Sequence, residues 1–192
     1  MDDALRRAAG WLREAGYDVV DARTPGFTAA RDLWFAMQAP EIRQFLLPSI
    51  EQYGDLGIRR AMRFMLEAHP VDDAGYMKAL AERARVVRDW QRFLDDVPLV
   101  LVPVCTAPVY PRGVDVESAE RTAQVWAECA TLMAVPVIGV PGLAVPTGIV
   151  DGLPMGVQVI APRFREDLCL AAGEAIEARS GMRERLPIDV RW

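Results

Sequence analysis

The stretch Leu143-Ala-Val-Pro-Thr-Gly-Ile-Val-Asp151-Gly152-Leu-Pro-Met-Gly-Val-Gln-Val-Ile-Ala161 sets two apolar runs on either side of an Asp-Gly pair. Both residues of that pair tolerate positive φ, which a tight two-residue hairpin turn requires. Leu143 to Ile149 and Met155 to Ala161 are therefore expected as strands, with Val137 to Val140 as a third candidate just upstream. Leu99-Val-Leu-Val102 is continuously apolar and bounded by prolines, which suits a strand buried on both faces. Such strands need helices to cover them, and the flanking sequence supplies helical periodicity in excess of the strands available.

Downstream, Glu166 to Arg179 places Leu168, Ala171, Ala172, Ala175 and Ile176 at helical spacing and stops at Gly181. Upstream, Ser118 is set to cap a helix carrying Thr122, Trp126, Cys129, Ala130 and Met133 on one side. The strongest helix runs from Asp73 to Leu94, with Met77, Leu80, Ala84, Val87, Gln91 and Leu94 expected inward. Leu56 to Glu67 forms another helix. Ala30, Leu33, Trp34 and Met37 mark one more, which Pro40 should break or kink before a segment that stops near Pro48. The first helix spans Asp3 to Ala15 and ends at Gly16; Tyr17 to Asp21 alternates as an edge strand would, ahead of a turn at Thr24-Pro25-Gly26. The fold class is mixed α/β without regular βαβ repetition. A single domain over residues 1–192 is expected, helical over 1–96 and sheet-rich over 97–192, and it reads as part of a larger sheet.

Composition narrows the function. Apolar residues make up 52% of the chain, and the longest apolar run, near Pro98 to Pro108, is only about a strand long, so no membrane span is expected. The opening Met-Asp-Asp leads straight into an amphipathic helix rather than a secretory or transit peptide, which makes a cytoplasmic location the default. The net charge of −5 argues against nucleic acid as a partner. Cys105, Cys129 and Cys169 stand too far apart in sequence for a zinc motif and read as reduced thiols. No metal or cofactor motif is present.

Hydrolysis needs a nucleophile with a base in reach, and here the inventory is thin. Serine occurs only at Ser49, Ser118 and Ser180, lysine only at Lys78 and histidine only at His69. His69, directly before Pro70, reads as a helix-end residue. Cys105 ends the first strand where sites tend to sit, but no base stands beside it in the sequence. A cysteine hydrolase built on Cys105 is the weakest of the functional readings.

The stretch Gly152-Leu-Pro-Met-Gly-Val-Gln-Val-Ile-Ala-Pro162, followed by Arg163-Phe164 and a helix, resembles the C-terminal signature of the amidase-signature family. Leu132-Met-Ala-Val-Pro136-Val-Ile-Gly-Val-Pro141-Gly is similar to that family's helix-to-strand passage, and Leu99-Val-Leu-Val-Pro103 with Ala107-Pro108 to an earlier strand and loop. The resemblance implies a mixed twisted sheet covered by helices, and hydrolysis of a carboxylic amide to acid and amine. It also implies two serines and a lysine on a glycine-serine loop and an upstream segment. This sequence holds neither, so no catalytic residue carries over and Lys78, on a helix's polar face, is no substitute. The expectation is a C-terminal portion of an amidase that contributes sheet and pocket walls and is inactive alone. A noncatalytic binding or assembly module derived from the same fold is the alternative. Trp34, Met37, Cys105, Thr106 and Thr131 are the expected substrate-pocket residues, ordinary packing being the competing reading for each. A complementary N-terminal amidase half or a second copy of the chain is the expected partner, with a small amide as substrate only in the complete enzyme.

Overall fold

The Asp-Gly turn forms as its sequence requires. In the computed structural model, which describes residues 2–185, Asp151 and Gly152 have φ of 52° and 78° and join two antiparallel strands. In chain order the elements are α1 (Asp2–Glu14), α2 (Phe27–Glu41), a π-helical turn (Ile42–Leu46), α3 (Leu47–Tyr53), α4 (Leu56–Ala68) and α5 (Asp73–Asp96). After these come β1 (Val100–Pro103), α6 (Ala119–Glu128), α7 (Ala130–Ile138), β2 (Gly142–Val150), β3 (Leu153–Ile160) and α8 (Glu166–Ser180). Two compact units result, one drawn from Met1–Arg23, Phe93–Val109 and Gly139–Trp192, the other from Thr24–Arg92 and Tyr110–Ile138. Met1 and residues 186–192, which the single-domain expectation includes, lie outside the described residues.

The first unit is built on a three-stranded sheet of order β1-β3-β2, antiparallel at both pairings. Val145, Val157 and Val159 meet Ala8 and Leu12 of α1 and Cys169, Ala172 and Ile176 of α8 in one apolar core. Gly156 brings β3 close to β2: a Cβ there would stand 2.8 Å from the Val145 carbonyl oxygen. Gly173 does the same for α8, since its missing side chain makes room for Leu143.

Four expectations for the strands and for α8 change. Tyr17 to Asp21 is not a strand; the Tyr17 N–H donates to the Leu12 carbonyl (3.0 Å), and Tyr17 and Val19 pack onto the core instead of joining a ladder. Val137 to Val140 is not a strand either, because α7 continues through Pro136 to Ile138 and Gly139, at φ 74°, ends it in the left-handed region. A short apolar run fits a buried helix end as well as a strand, and only packing separates them. β1 is an edge strand with Val100 and Val102 buried and Leu101 and Pro103 half-buried, so it alternates rather than burying both faces. Finally, α8 turns Cys169 and Gly173 inward, leaving Ala171 exposed, since the close approach to Leu143 requires glycine at the contact.

The second unit is helical. Pro40 does not end α2; lacking the N–H that would continue the ladder, it is followed by the wider turn at Ile42–Leu46. Nor does Pro48 stop the chain, because it stands in the first turn of α3, where no donor is needed. Asp55 caps α4 by accepting from the Ile58 N–H (2.8 Å), and Asp72 accepts from the Gly75 N–H (2.8 Å) at the start of α5. The inward face of α5 is Ala79, Val86, Trp90 and Leu94, whereas the expected Met77 and Leu80 are exposed. Trp90 sets that rotation: the largest apolar side chain of the helix is fully buried, with its ring 4.9 Å from that of Phe27. Arg83, on the same face, donates from Nε to the Val137 carbonyl (2.7 Å), serving a carbonyl in the last turn of α7.

Candidate functional site

Within the helical unit, α2, α4 and α6 line a partly open pocket of about 260 Å³. Each helix offers side chains at three- and four-residue steps. α2 contributes Arg31, Asp32 and Phe35; α4 contributes Phe64, Met65 and Ala68, followed by His69; α6 contributes Ala119, Thr122, Ala123, Trp126 and Ala127. The alanines matter as much as the rings, because their small volume leaves the space open on the α6 side.

The aromatic lining is organised by ring contacts. His69 lies flat on Phe35, with centroids 3.9 Å apart and planes 9° from parallel. Trp126 meets Phe35 nearly edge-on at 5.5 Å, and Trp34 packs on Trp126 at 5.5 Å and edge-on to Phe35 at 5.2 Å. The cluster sits on the core formed by Phe35, Ala39, Ile42, Met65, Leu66 and Met133.

Burial lowers the pKa of His69 below its ordinary 6.5; the Asp32 carboxylate opposes the shift and the Arg31 guanidinium reinforces it. The imidazole is therefore neutral at pH 7, a flat ring with one donor and one acceptor edge. Asp32 is itself occupied by Arg31, whose Nη2 and Nε donate to its Oδ1 at 2.7 and 3.0 Å. Thr122, the lining hydroxyl, is buried and shares its one proton between the Asp115 and Ser118 carbonyls, both at 2.8 Å. Asp32 and Thr122 are thus engaged, and the neutral His69 ring lies stacked on Phe35 with no serine, cysteine or lysine in the lining beside it, so the pocket is shaped to hold a flat apolar group. Among the described residues, no group of three or more His, Cys, Asp or Glu side chains is placed to hold a metal ion. Likewise, no helix is long and apolar enough to cross a membrane.

The residues expected from the sequence fall in both units. Trp34, on α2, is half-buried and supports the lining through Phe35 and Trp126. Met37 is half-buried further along α2, and Thr131 is buried on α7. Cys105, half-buried, and Thr106, exposed, follow β1 in the other unit. Sequence reasoning did not single out Phe35, Phe64, Trp126 or His69 as a site. The available signal was Thr122 and Trp126 one turn apart on a capped helix. His69 is the C-cap of α4 as expected from Pro70, but its backbone N–H bonds to the Met65 carbonyl (3.1 Å) while its ring faces the cavity.

A family model described as Amidase matches residues 1–170. Indoleacetamide hydrolase of Bradyrhizobium diazoefficiens is 35% identical over 181 residues, covering 93% of this chain and 34% of that protein. A glutamyl-tRNA(Gln) amidotransferase subunit of Streptococcus uberis is 32% identical over 116 residues, covering 60% of this chain and 23% of that one. Among solved structures, allophanate hydrolase of Kluyveromyces lactis superposes with a TM-score of 0.74 at 20% identity, over 93% of this chain and 29% of that chain. The chain thus spans about a third of the length of the Bradyrhizobium relative it matches.

Proposed function

Because this chain belongs to the amidase family, we propose that it is the wall-forming portion of an amide hydrolase whose serine–serine–lysine machinery lies on other residues. The family's reaction is hydrolysis of a carboxylic amide. In this reading the cavity among α2, α4 and α6 receives an apolar, preferably aryl, group of the amide. The observation that carries the proposal is the state of the side chains that would have to react. Ser118 is engaged as the cap of α6, Ser180 donates to the Glu177 carbonyl (3.0 Å), and Ser49 and Lys78 are exposed on the regular helices α3 and α5. None stands in a glycine-serine loop.

Two further features support it. β1 and β2 are both outer strands, and among the described residues each has one edge without a neighbouring strand, an arrangement that a further segment of sheet would complete. The name of the Bradyrhizobium relative also points toward an aryl acyl group. The partner in this proposal is a complementary amidase segment, and the setting is cytoplasmic.

The test is hydrolysis of a panel of aryl and aliphatic amides by the 192-residue chain alone and after co-expression with an amidase segment bearing the glycine-serine loop. No turnover alone and restored turnover together is the expected result. Stable association without hydrolysis would favour the assembly-module reading. Turnover by the isolated chain, lost on Cys105→Ala, would overturn the proposal.

A further inference from the structure

α4 carries a second stripe that the aromatic cavity does not use. Leu56, Arg59, Arg60, Arg63 and Glu67 recur at three- and four-residue steps, opposite the buried Ala61 and Met65. Facing them across an open groove of about 750 Å³ are Leu47, Ile50 and Glu51 of α3 and Arg43 from the π turn. The volume lies in the range of sites for small organic ligands. Four arginines against two glutamates give the groove an excess of positive charge on a chain whose net charge is −5.

The arginines are not equivalent. Arg43 is committed to the Val71 and Leu66 carbonyls (3.3 and 3.5 Å), and Arg59 to the Gly54 carbonyl (2.9 Å). Arg60 and Arg63 instead hold their guanidinium carbons 5.6 and 5.5 Å from the ring centroid of Phe64. A cation–π contact orients a guanidinium without neutralising it. Arg60 has no ion pair among the described residues, and Arg63 has only a long, exposed one with Glu67 at 4.0 Å. Arg60 and Arg63, one helical turn apart, line the groove beside an apolar floor of Leu47, Ile50 and Leu66, with Leu56 84% exposed at the rim.

We infer that this groove binds a monoanionic amphiphile: a carboxylate held by Arg60 and Arg63, with an apolar aryl or medium-length alkyl body lying along Leu47, Ile50 and Leu56. A guanidinium fork matches the two oxygens of a carboxylate. Glu51 and Glu67 on the same walls disfavour a ligand of higher charge. Carboxylates of this kind are also what amide hydrolysis releases, although the inference stands on the groove alone.

Titration calorimetry on the 192-residue chain with octanoate, phenylacetate, octanamide and inorganic phosphate tests it, and needs no turnover. Saturable octanoate binding at about millimolar Kd or tighter is expected, at least about tenfold stronger than octanamide. The double variant Arg60→Gln/Arg63→Gln alters two exposed positions, and circular dichroism checks that it folds. Octanoate affinity should drop about tenfold in that variant and fall with added salt. Equal affinity for octanamide, phosphate binding as tightly as octanoate, unchanged affinity in the folded double variant, or no saturable binding up to ~10 mM would each overturn the inference.

Discussion

Replacing Gly156 by alanine isolates the closest backbone approach in the sheet unit. Its Cβ would meet the Val145 carbonyl oxygen at 2.8 Å, the Val145 carbonyl carbon at 3.4 Å and the Pro146 Cα at 3.6 Å. All three are backbone atoms of β2, held by the ladder in which Val145 faces Val157 and Pro146 faces Gly156. No side chain can rotate to relieve the contact, so the strands must separate or the register must adjust. Overpacking costs about 1–3 kcal/mol, and fixed obstacles put this site in the upper part, about 2–3 kcal/mol. For a chain of this length that lowers the Tm by roughly 4–12 °C. Gly10→Ala in α1 is the matched control: nothing lies within 4 Å of the added methyl, so it should stabilise the chain by about 0.5–1 kcal/mol through helix propensity. Urea unfolding followed by circular dichroism, with amide exchange at Val145 and Val157, reads both variants. A Gly156→Ala midpoint at or above the parent's, with Gly10→Ala stabilising as expected, would refute the β2–β3 packing described above.

Three further outcomes follow from named contacts. Burial holds His69 below its ordinary 6.5, so the unfolded chain takes up this proton first; its stability contribution is complete above pH 6.5 and lost as pH falls through the lowered value. His69→Gln should flatten the part of the urea midpoint's pH dependence lying just below about pH 6.5; an unchanged slope would place the ring in solvent. Burial, followed by the Glu166 carboxylate, pushes the Cys169 thiol up to about 11. Iodoacetamide at about pH 8 should therefore label Cys169 roughly a hundredfold more slowly in the native chain than in urea, as read by peptide mass spectrometry; equal rates would contradict its burial. Ser118→Ala removes the acceptor for the Arg121 N–H (3.2 Å) and should cost about 1 kcal/mol of stability, whereas a cost indistinguishable from zero in urea unfolding would mean that the cap is not held.

Much of this protein was legible before folding because the relevant signals are local. Asp151-Gly152 specifies a hairpin through the φ values that two residues tolerate. Ser118 and Gly181 mark helix ends through backbone groups a few residues away. The family resemblance of Leu99–Phe164 likewise rests on contiguous residues, as does the poverty of serine, lysine and histidine that shapes the proposed function.

What the sequence left open was decided by neighbours distant along the chain. Val137 and Ile138 are equally apolar as strand or helix, and the core they enter selects the helix. α5 presents Trp90 rather than Met77 because burying the indole outweighs burying a flexible thioether chain. The aromatic cavity draws on three helices whose residues are separated by up to about a hundred positions. No single stretch encodes it: Phe35, His69 and Trp126 become a site only when their helices pack, since ring stacking is a property of the tertiary contact and not of any one segment.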